Sequence, residues 1–216
     1  MNTVAFAQNG PVAPAGWRPR LVLFDYGNVM AWFDNRRFIR RLLAGSPRDP
    51  EVAWRQLYAH TALASEFERG ELDEAVFRQR VCDILGIPLD CALFDEAFAG
   101  IFVRSEVMTA LVEWLAPRCR IGLLSNTNAL HERLEIRTNP ALRWFNQLTM
   151  SHRVGAMKPD PAIYHDAIAQ AGMAPEHILY LDDIPDYVAE GRRQHLWAWQ
   201  VTDHDKIAAR VRALWS

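Results

Sequence analysis

Cysteine is scarce in this 216-residue chain: Cys82, Cys91 and Cys119 make an odd number and include no CxxC pair. That argues against a disulfide framework and against a zinc site, and it fits a reducing, cytoplasmic setting. No block of lysines or arginines stands out and the formal net charge is −2, so nothing recommends a nucleic acid or an anionic membrane as partner. The arginine pairs Arg36–Arg37, Arg40–Arg41 and Arg192–Arg193 read as solvated helix faces. No apolar run is long enough to span a bilayer. The opening MNTVAFAQNGPVAPAG lacks the basic region and continuous apolar stretch of a secretory signal; residues 1–18, rich in Pro, Ala, Gly and Asn, read as a loose arm. Half of the residues are hydrophobic, enough for one packed domain and a smaller accessory element.

What is present is an alternation of strand and helix signals with one long interruption. RLVLF (20–24) is a short apolar run ending on Asp25, a buried strand entering a tight turn. From 33 to 103 the pattern turns amphipathic and helical, as in LDEAVFRQRVCDIL (72–85), with glycines at 70, 86 and 100 as punctuation and no strand signal. The alternation then resumes. Helices are expected at 106–116 behind a Ser105 N-cap, at 129–137, at 161–172 behind Asp160 and Pro161, at 187–196 and at 205–215. Strands are expected at 120–125, 147–151, 177–181 and 197–201. Together these imply an α/β fold: a Rossmann-like, mostly parallel sheet with helices on both faces and an inserted all-helical cap. The core would comprise 19–32 and 104–216, and the cap 33–103.

In such a sheet, ligands sit outside the carboxyl ends of the strands. Asp25, Ser125 and the pair Asp182-Asp183 all fall at such ends, so they should converge, with Asn126 and Lys158 close by. Three crowded carboxylates repel one another and call for a cation among them. An oxygen-only donor set suits Mg²⁺, a hard ion that keeps several waters and pairs with phosphate; the missing His and Cys ligands argue against zinc. A divalent ion and the Lys158 ammonium would also neutralise the repulsion between an anionic aspartate and an anionic phosphate. The hydroxyl and amide of Ser125-Asn126 can hold phosphate oxygens.

These segments resemble the motifs of one family. FDYGNV (24–29) is similar to the nucleophile loop of the haloacid dehalogenase superfamily, LLSNTN (123–128) to its serine/threonine motif, MKPDPAIY (157–164) to its lysine motif and YLDD (180–183) to its acidic motif. The order matches, and the similarity spans about residues 20–203. The helical stretch after the first motif resembles the family's first type of cap. In combination the motifs resemble bacterial sugar-phosphate phosphatases, including one acting on glucose 1-phosphate. The resemblance implies a magnesium-dependent phosphatase, a monomer or homodimer, acting on a small phosphorylated metabolite. It casts Asp25 as nucleophile and metal ligand, forming a phosphoaspartate. Ser125 and Asn126 would bind the phosphoryl group and Lys158 would bridge it to Asp25. Asp183 would be the main second metal carboxylate, with Asp182 helping through water or from behind, and Gly27 would lend its backbone carbonyl.

Gly27 is also a departure, because family phosphatases usually carry an acid/base aspartate two positions after the nucleophile. The carbonyl role survives and the acid role does not. A replacement proton would come from the cap or from water; Asp34 is a weak candidate. Two rival readings follow from the same residues. A C2-haloacid dehalogenase would use Asp25 without metal, which the aspartate pair opposes. A catalytically weak binding or regulatory module would tolerate Gly27. The histidines show no ligand spacing and read as packed or surface residues. Trp32, Phe33 and Trp54 could line a cap pocket or simply pack.

Overall fold

The structure is a computed structural model that describes residue 14 and residues 16–216. Most of the arm expected over 1–18 lies outside the described residues. Its last part docks: the Trp17 indole donates to the Glu176 carbonyl at 3.1 Å and its ring lies 5.1 Å from that of Trp197.

In chain order the elements are β1 (Leu21–Phe24), β2 (Ala31–Phe33), α1 (Asn35–Leu42), α2 (Pro50–Tyr58), α3 (Leu63–Glu68), α4 (Glu74–Leu85), α5 (Cys91–Ala99) and β3 (Phe102–Arg104). There follow α6 (Glu106–Leu115), β4 (Arg120–Ser125), α7 (Ala129–Leu134), β5 (Gln147–Met150), α8 (Ser151–Val154), α9 (Pro161–Ala171), β6 (Ile178–Asp182), α10 (Pro185–Arg193), β7 (Trp197–Gln200) and α11 (His204–Arg212). Five strands form one parallel sheet in the order β5-β4-β1-β6-β7. The strand alternation explains the layering. Val22 and Phe24 of β1 point into a core with Met108, Leu111 and Val112 of α6 and Ile207 and Val211 of α11. Leu21 and Leu23 face the opposite core with Ile163 and Ala167 of α9 and Val188 of α10. Both faces of β1 are therefore apolar, as a central parallel strand requires.

The helices between β2 and β3 have a core of their own, built on Phe38, Leu57, Phe67, Phe77, Phe94 and Phe98, and Leu130 of α7 joins it. This insertion is closed at its base by the antiparallel β2–β3 ladder, in which Phe33 pairs with Phe102. The ladder corrects the expectation that 33–103 holds no strand: Phe33, Phe102 and Val103 are strand residues. Three-residue strands are too short to show a period of two, and Trp32, Phe33 and Val103 are exposed, so no buried alternation marks them.

The expected caps are present. The Ser105 hydroxyl accepts from Met108 N, and Asp160 accepts from Ala162 N ahead of Pro161. Other edges shift by a few residues. The helix expected at 187–196 begins at Pro185 and ends at Arg193, while those expected at 129–137 and 205–215 end at Leu134 and Arg212 and continue as 3-10 turns. Among the described residues no helix is long and apolar enough to cross a membrane.

Candidate active site

β1 sits between β4 and β6, and each of these three neighbours delivers a polar residue to the same edge. Asp25 follows β1, Ser125 ends β4 and Asp182 ends β6. Crossovers leave β1 in opposite directions, so the crevice opens there. Asp25, Asp182 and Asp183 each offer a carboxylate oxygen within 4.8 Å of the others. The convergence read from the strand ends is thus observed.

Lys158 is the keystone. Its side chain is wholly buried, and the Nζ lies 2.9 Å from Asp25 Oδ1, 2.6 Å from Asp182 Oδ2 and 3.1 Å from the Leu124 carbonyl. All three ammonium donors are thereby used. Asn126 places this lysine: its Oδ1 accepts from Lys158 N at 2.7 Å and its Nδ2 donates to Lys158 O at 3.0 Å. The Asn126 side chain is therefore occupied as a pincer on the lysine backbone, which leaves its main-chain N–H as the group to offer a phosphate oxygen. Ser151 fixes the next residue, accepting from Thr127 N and donating to Thr127 O.

The two acidic-motif residues divide the work. Asp182 is fully buried; its Oδ1 accepts from Ile184 N, and its Oδ2 accepts from Lys158 and from the Tyr180 hydroxyl. Both oxygens already carry partners, so Asp182 is better built to hold Lys158 than to bind an ion directly, although it lies within the carboxylate cluster. Asp183 is less engaged. One oxygen accepts from Asn28 Nδ2 at 3.1 Å, and its backbone carbonyl accepts from Gln200. Gly27 forms a bridge with Ala31 whose bonds run from Asn28 N to Ala31 O and from Ala31 N to Tyr26 O, so the Gly27 carbonyl is not part of it.

The electrostatics show a deficit of positive charge. Burial pushes Asp25 up to about 6, with Asp182 adding to the rise and Lys158 opposing it. Asp183 is also raised, chiefly by burial, against the pull of the Asn28 hydrogen bond. One ammonium faces three carboxylates. Both shifts run in the direction that a divalent cation would reverse. The donor set that fits such an ion is Asp25, Asp183 and the Gly27 carbonyl, all oxygen, with Asp182 and Asn28 behind them.

Beside this cluster lies a partly open cavity of about 70 Å³, lined on the sheet side by Gly27, Ser125, Asn126 and Thr127 and on the insertion side by Tyr58, Phe67, Glu68, Phe77 and Phe98. That is well under the roughly 300 Å³ at which small-molecule pockets begin, so the cavity as it stands is too small for a whole sugar phosphate. Phe33 lines this cavity, Trp32 stacks on His204 at 4.5 Å, and Trp54 packs beside Tyr58 and Arg36. Asp34 does not reach the cavity; it caps α1 by accepting from Arg36 N.

Several contributors escape a reading by motif. Asn28, at φ 53°, bends the nucleophile loop so that its amide meets Asp183; an asparagine after a glycine is the available signal, since it tolerates that region. His204 braces the same loop, with Nε2 at 2.9 Å from Asn28 O and Nδ1 at 2.8 Å from Ser105 Oγ. Glu68 carries no sequence signal of its own, and Tyr180 none beyond its place in YLDD.

Known proteins resemble this chain in sequence and in fold. A D-ribitol-5-phosphate phosphatase of Bacteroides thetaiotaomicron is 25% identical over 171 residues, 75% of this chain and 82% of the relative. A HAD-like family hydrolase from Porphyromonas gingivalis superposes with a TM-score of 0.77 at 28% identity, covering 92% of this chain and 98% of that one. A HAD family enzyme from Bacteroides thetaiotaomicron, crystallised with magnesium and inorganic phosphate, shares the fold with a TM-score of 0.73 at 19% identity, over 84% of this chain and 93% of its own. The family model for haloacid dehalogenase-like hydrolases matches residues 19–194, and the chain belongs to that family.

Proposed function

We propose that this hydrolase is a magnesium-dependent phosphatase that removes phosphate from a small phosphorylated metabolite through a phosphoaspartate on Asp25. The observation that carries this reading is the buried Asp25–Lys158–Asp182 chain of contacts, 2.9 and 2.6 Å long, with the Asp183 carboxylate beside it. Lys158 holds Asp25 by Oδ1, which aims the other oxygen at the crevice. That oxygen attacks phosphorus, and the ester oxygen departs. The Ser125 hydroxyl and the Asn126 N–H bind the equatorial oxygens, and Lys158 balances charge on the flying phosphoryl group. Water then cleaves the acyl phosphate and restores Asp25. Magnesium held by Asp25, Asp183 and the Gly27 carbonyl would supply Lewis-acid charge neutralisation.

A magnesium and phosphate complex of a protein with this fold, and a relative named for a pentitol phosphate, support the ion and the substrate class. The aromatic roof suits the C–H faces of a sugar or polyol, which makes such phosphates the first candidates. A metal-free displacement of halide from carbon would leave Asp183 without a task, so that reading is set aside. Insertion residues 35–99 act as a lid that opens for substrate.

The test is phosphate release from a panel of polyol, sugar and nucleoside phosphates, with Mg²⁺ or with EDTA, by wild type and by Asp25→Asn. Activity should need Mg²⁺ and should fall to background in the variant, because the amide keeps the shape and loses the anionic oxygen. Chelation without effect, or a fully active variant, refutes the mechanism.

A further inference from the structure

A departing alkoxide needs a proton, and position 27 has no side chain to give one. The structure also crowds the place where one would start: a Cβ on Gly27 would stand 2.8 Å from Phe33 Cε1, so the phenyl ring would have to shift to admit it. The phenyl ring of Phe33 fills the space beside the nucleophile loop. The proton must therefore come from elsewhere in the cavity.

The ionisable groups around the reaction space can be taken in turn. Lys158 has all three donors committed to Asp25, Asp182 and the Leu124 carbonyl. Asp182 is saturated with donors. Burial drives the Tyr58 and Tyr187 hydroxyls up, so they are weaker acids than usual. Burial drives His131 down to about 3, leaving a neutral ring near neutral pH. Asp34 is a helix cap. Asp25 and Asp183 are given to the nucleophile and the ion, and beside them one carboxyl remains.

We propose that Glu68, at the C-terminal end of α3, is the general acid that protonates the leaving oxygen in the phosphatase reaction, a role that rests on the function proposed above. Glu68 lines the same cavity as Gly27, Ser125 and Asn126, but enters it from the roof. Its carboxyl makes no hydrogen bond or ion pair among the described residues. Glu68 is partly buried, and a carboxyl so placed without a partner leans towards its protonated form and stands ready to meet a ligand. Burial, then the Asp25 charge, raise Glu68 to about 7, with Lys158 and Arg69 opposing. The other groups facing it are the Tyr58 and Tyr187 hydroxyls. On α8, which packs against α3, His152 has both ring nitrogens occupied, by Glu132 and Thr127. Among the described residues no cation pairs with Glu68.

The balance is simple. As Asp25 forms its bond to phosphorus, the ester P–O bond breaks and the leaving oxygen takes the Glu68 proton, giving a neutral alcohol and a Glu68 carboxylate. That carboxylate then accepts a proton from the water that attacks phosphorus, the P–O bond to Asp25 breaks, and inorganic phosphate leaves with Glu68 protonated again. A lid that carries the acid couples closure to catalysis, since Glu68 reaches the leaving group only when α3 is down.

The experiment measures kcat/KM against pH with Mg²⁺ for 4-nitrophenyl phosphate and for an alkyl ester such as ribitol 5-phosphate. It compares wild type, Glu68→Gln, Glu68→Asp and, as a control on the same helix, Glu66→Gln. An aryl oxygen departs as a stable anion and an alkyl oxygen does not. Glu68→Gln should therefore lose about 10²-fold or more on the alkyl ester, little on the aryl ester, and the alkaline fall in alkyl-ester rate. Glu68→Asp should recover part of the loss, and Glu66→Gln should match wild type. Retained aryl activity certifies a folded site. Equal losses on both esters, or an unchanged pH profile in Glu68→Gln, overturn the proposal and leave the phosphatase reading standing. A wild type that releases no phosphate from either ester overturns both.

Discussion

Phe33 and Gly27 form a pair whose logic is steric. The Gly27 backbone lies outside the left-handed region, so an aspartate there meets no dihedral strain; what it meets is the Phe33 ring, with a Cβ 2.8 Å away. Gly27→Asp alone is therefore expected to gain nothing on alkyl phosphates, because the new carboxyl and the ring compete for one space. Gly27→Asp combined with Phe33→Ala opens that space, and a correctly aimed acid is worth about 10²-fold or more. The check is kcat/KM of both variants on the alkyl ester in a Glu68→Gln background, where no native acid masks the gain. A gain from the single variant, or none from the double, would show that the ring is not what keeps position 27 empty of acid.

α7 is the seam between sheet and insertion, and His131 is its pivot. The imidazole stacks on Phe98 at 4.1 Å, meets Phe102 edge-on at 4.9 Å, and has its Nε2 buried without a hydrogen-bond partner. Because burial holds the folded-state pKa near 3, far below the usual 6.5, the unfolded chain binds this proton first. Stability from His131 is thus complete above about pH 6.5 and is lost as pH falls towards 3, by at most ~1.4 kcal/mol per pH unit. His131→Phe should flatten that acid limb, whatever constant offset the new ring brings; urea unfolding between pH 7 and pH 4.5 reads the slope. An unchanged slope would place the acid sensitivity elsewhere. The same elements show where the sequence was legible. RLVLF, RIGLLS and HILYL announce buried strands because β1, β4 and β6 have apolar neighbours on both faces, and the polar residues at their ends, Asp25, Ser125 and Asp182, mark the crevice. The β2–β3 ladder was hidden because three residues cannot show alternation. Glu68 was hidden for another reason: in the run FERGELDE it is one acid among several, and only the fold of the insertion distinguishes it from solvated neighbours. Asp182 and Asp183 are adjacent and alike in sequence, and their separate tasks depend on which one Lys158 and Tyr180 contact.

At the scale of the whole molecule, an ion that binds only the folded carboxylate cluster must stabilise the fold. Mg²⁺ at ten times its dissociation constant adds about 1.4 kcal/mol, or roughly 3–5 °C in the melting temperature of a chain this size. Wild type should melt higher in Mg²⁺ than in EDTA, and Asp183→Asn should abolish the difference; an equal shift in the variant would move the ion away from Asp183. The sheet order carries a further consequence, one of timing. Leu21 of β1 is in register with Arg120 of β4 and with Ile178 of β6, so the strand that leads into the nucleophile finds its partners only among residues synthesised much later. Contacts so distant along the chain form slowly. The insertion, with its own aromatic core, can condense as soon as it emerges. A nascent chain would then hold much of its lid while Leu21–Phe24, four fully buried residues in the finished protein, still lack a partner on one edge or both. That interval is when the protein is most exposed to aggregation, and it closes only when β6 arrives, bringing Asp182 to a site that Lys158 already occupies. A chain that stops before β6 lacks Asp182 and Asp183, and with them the ion site proposed above.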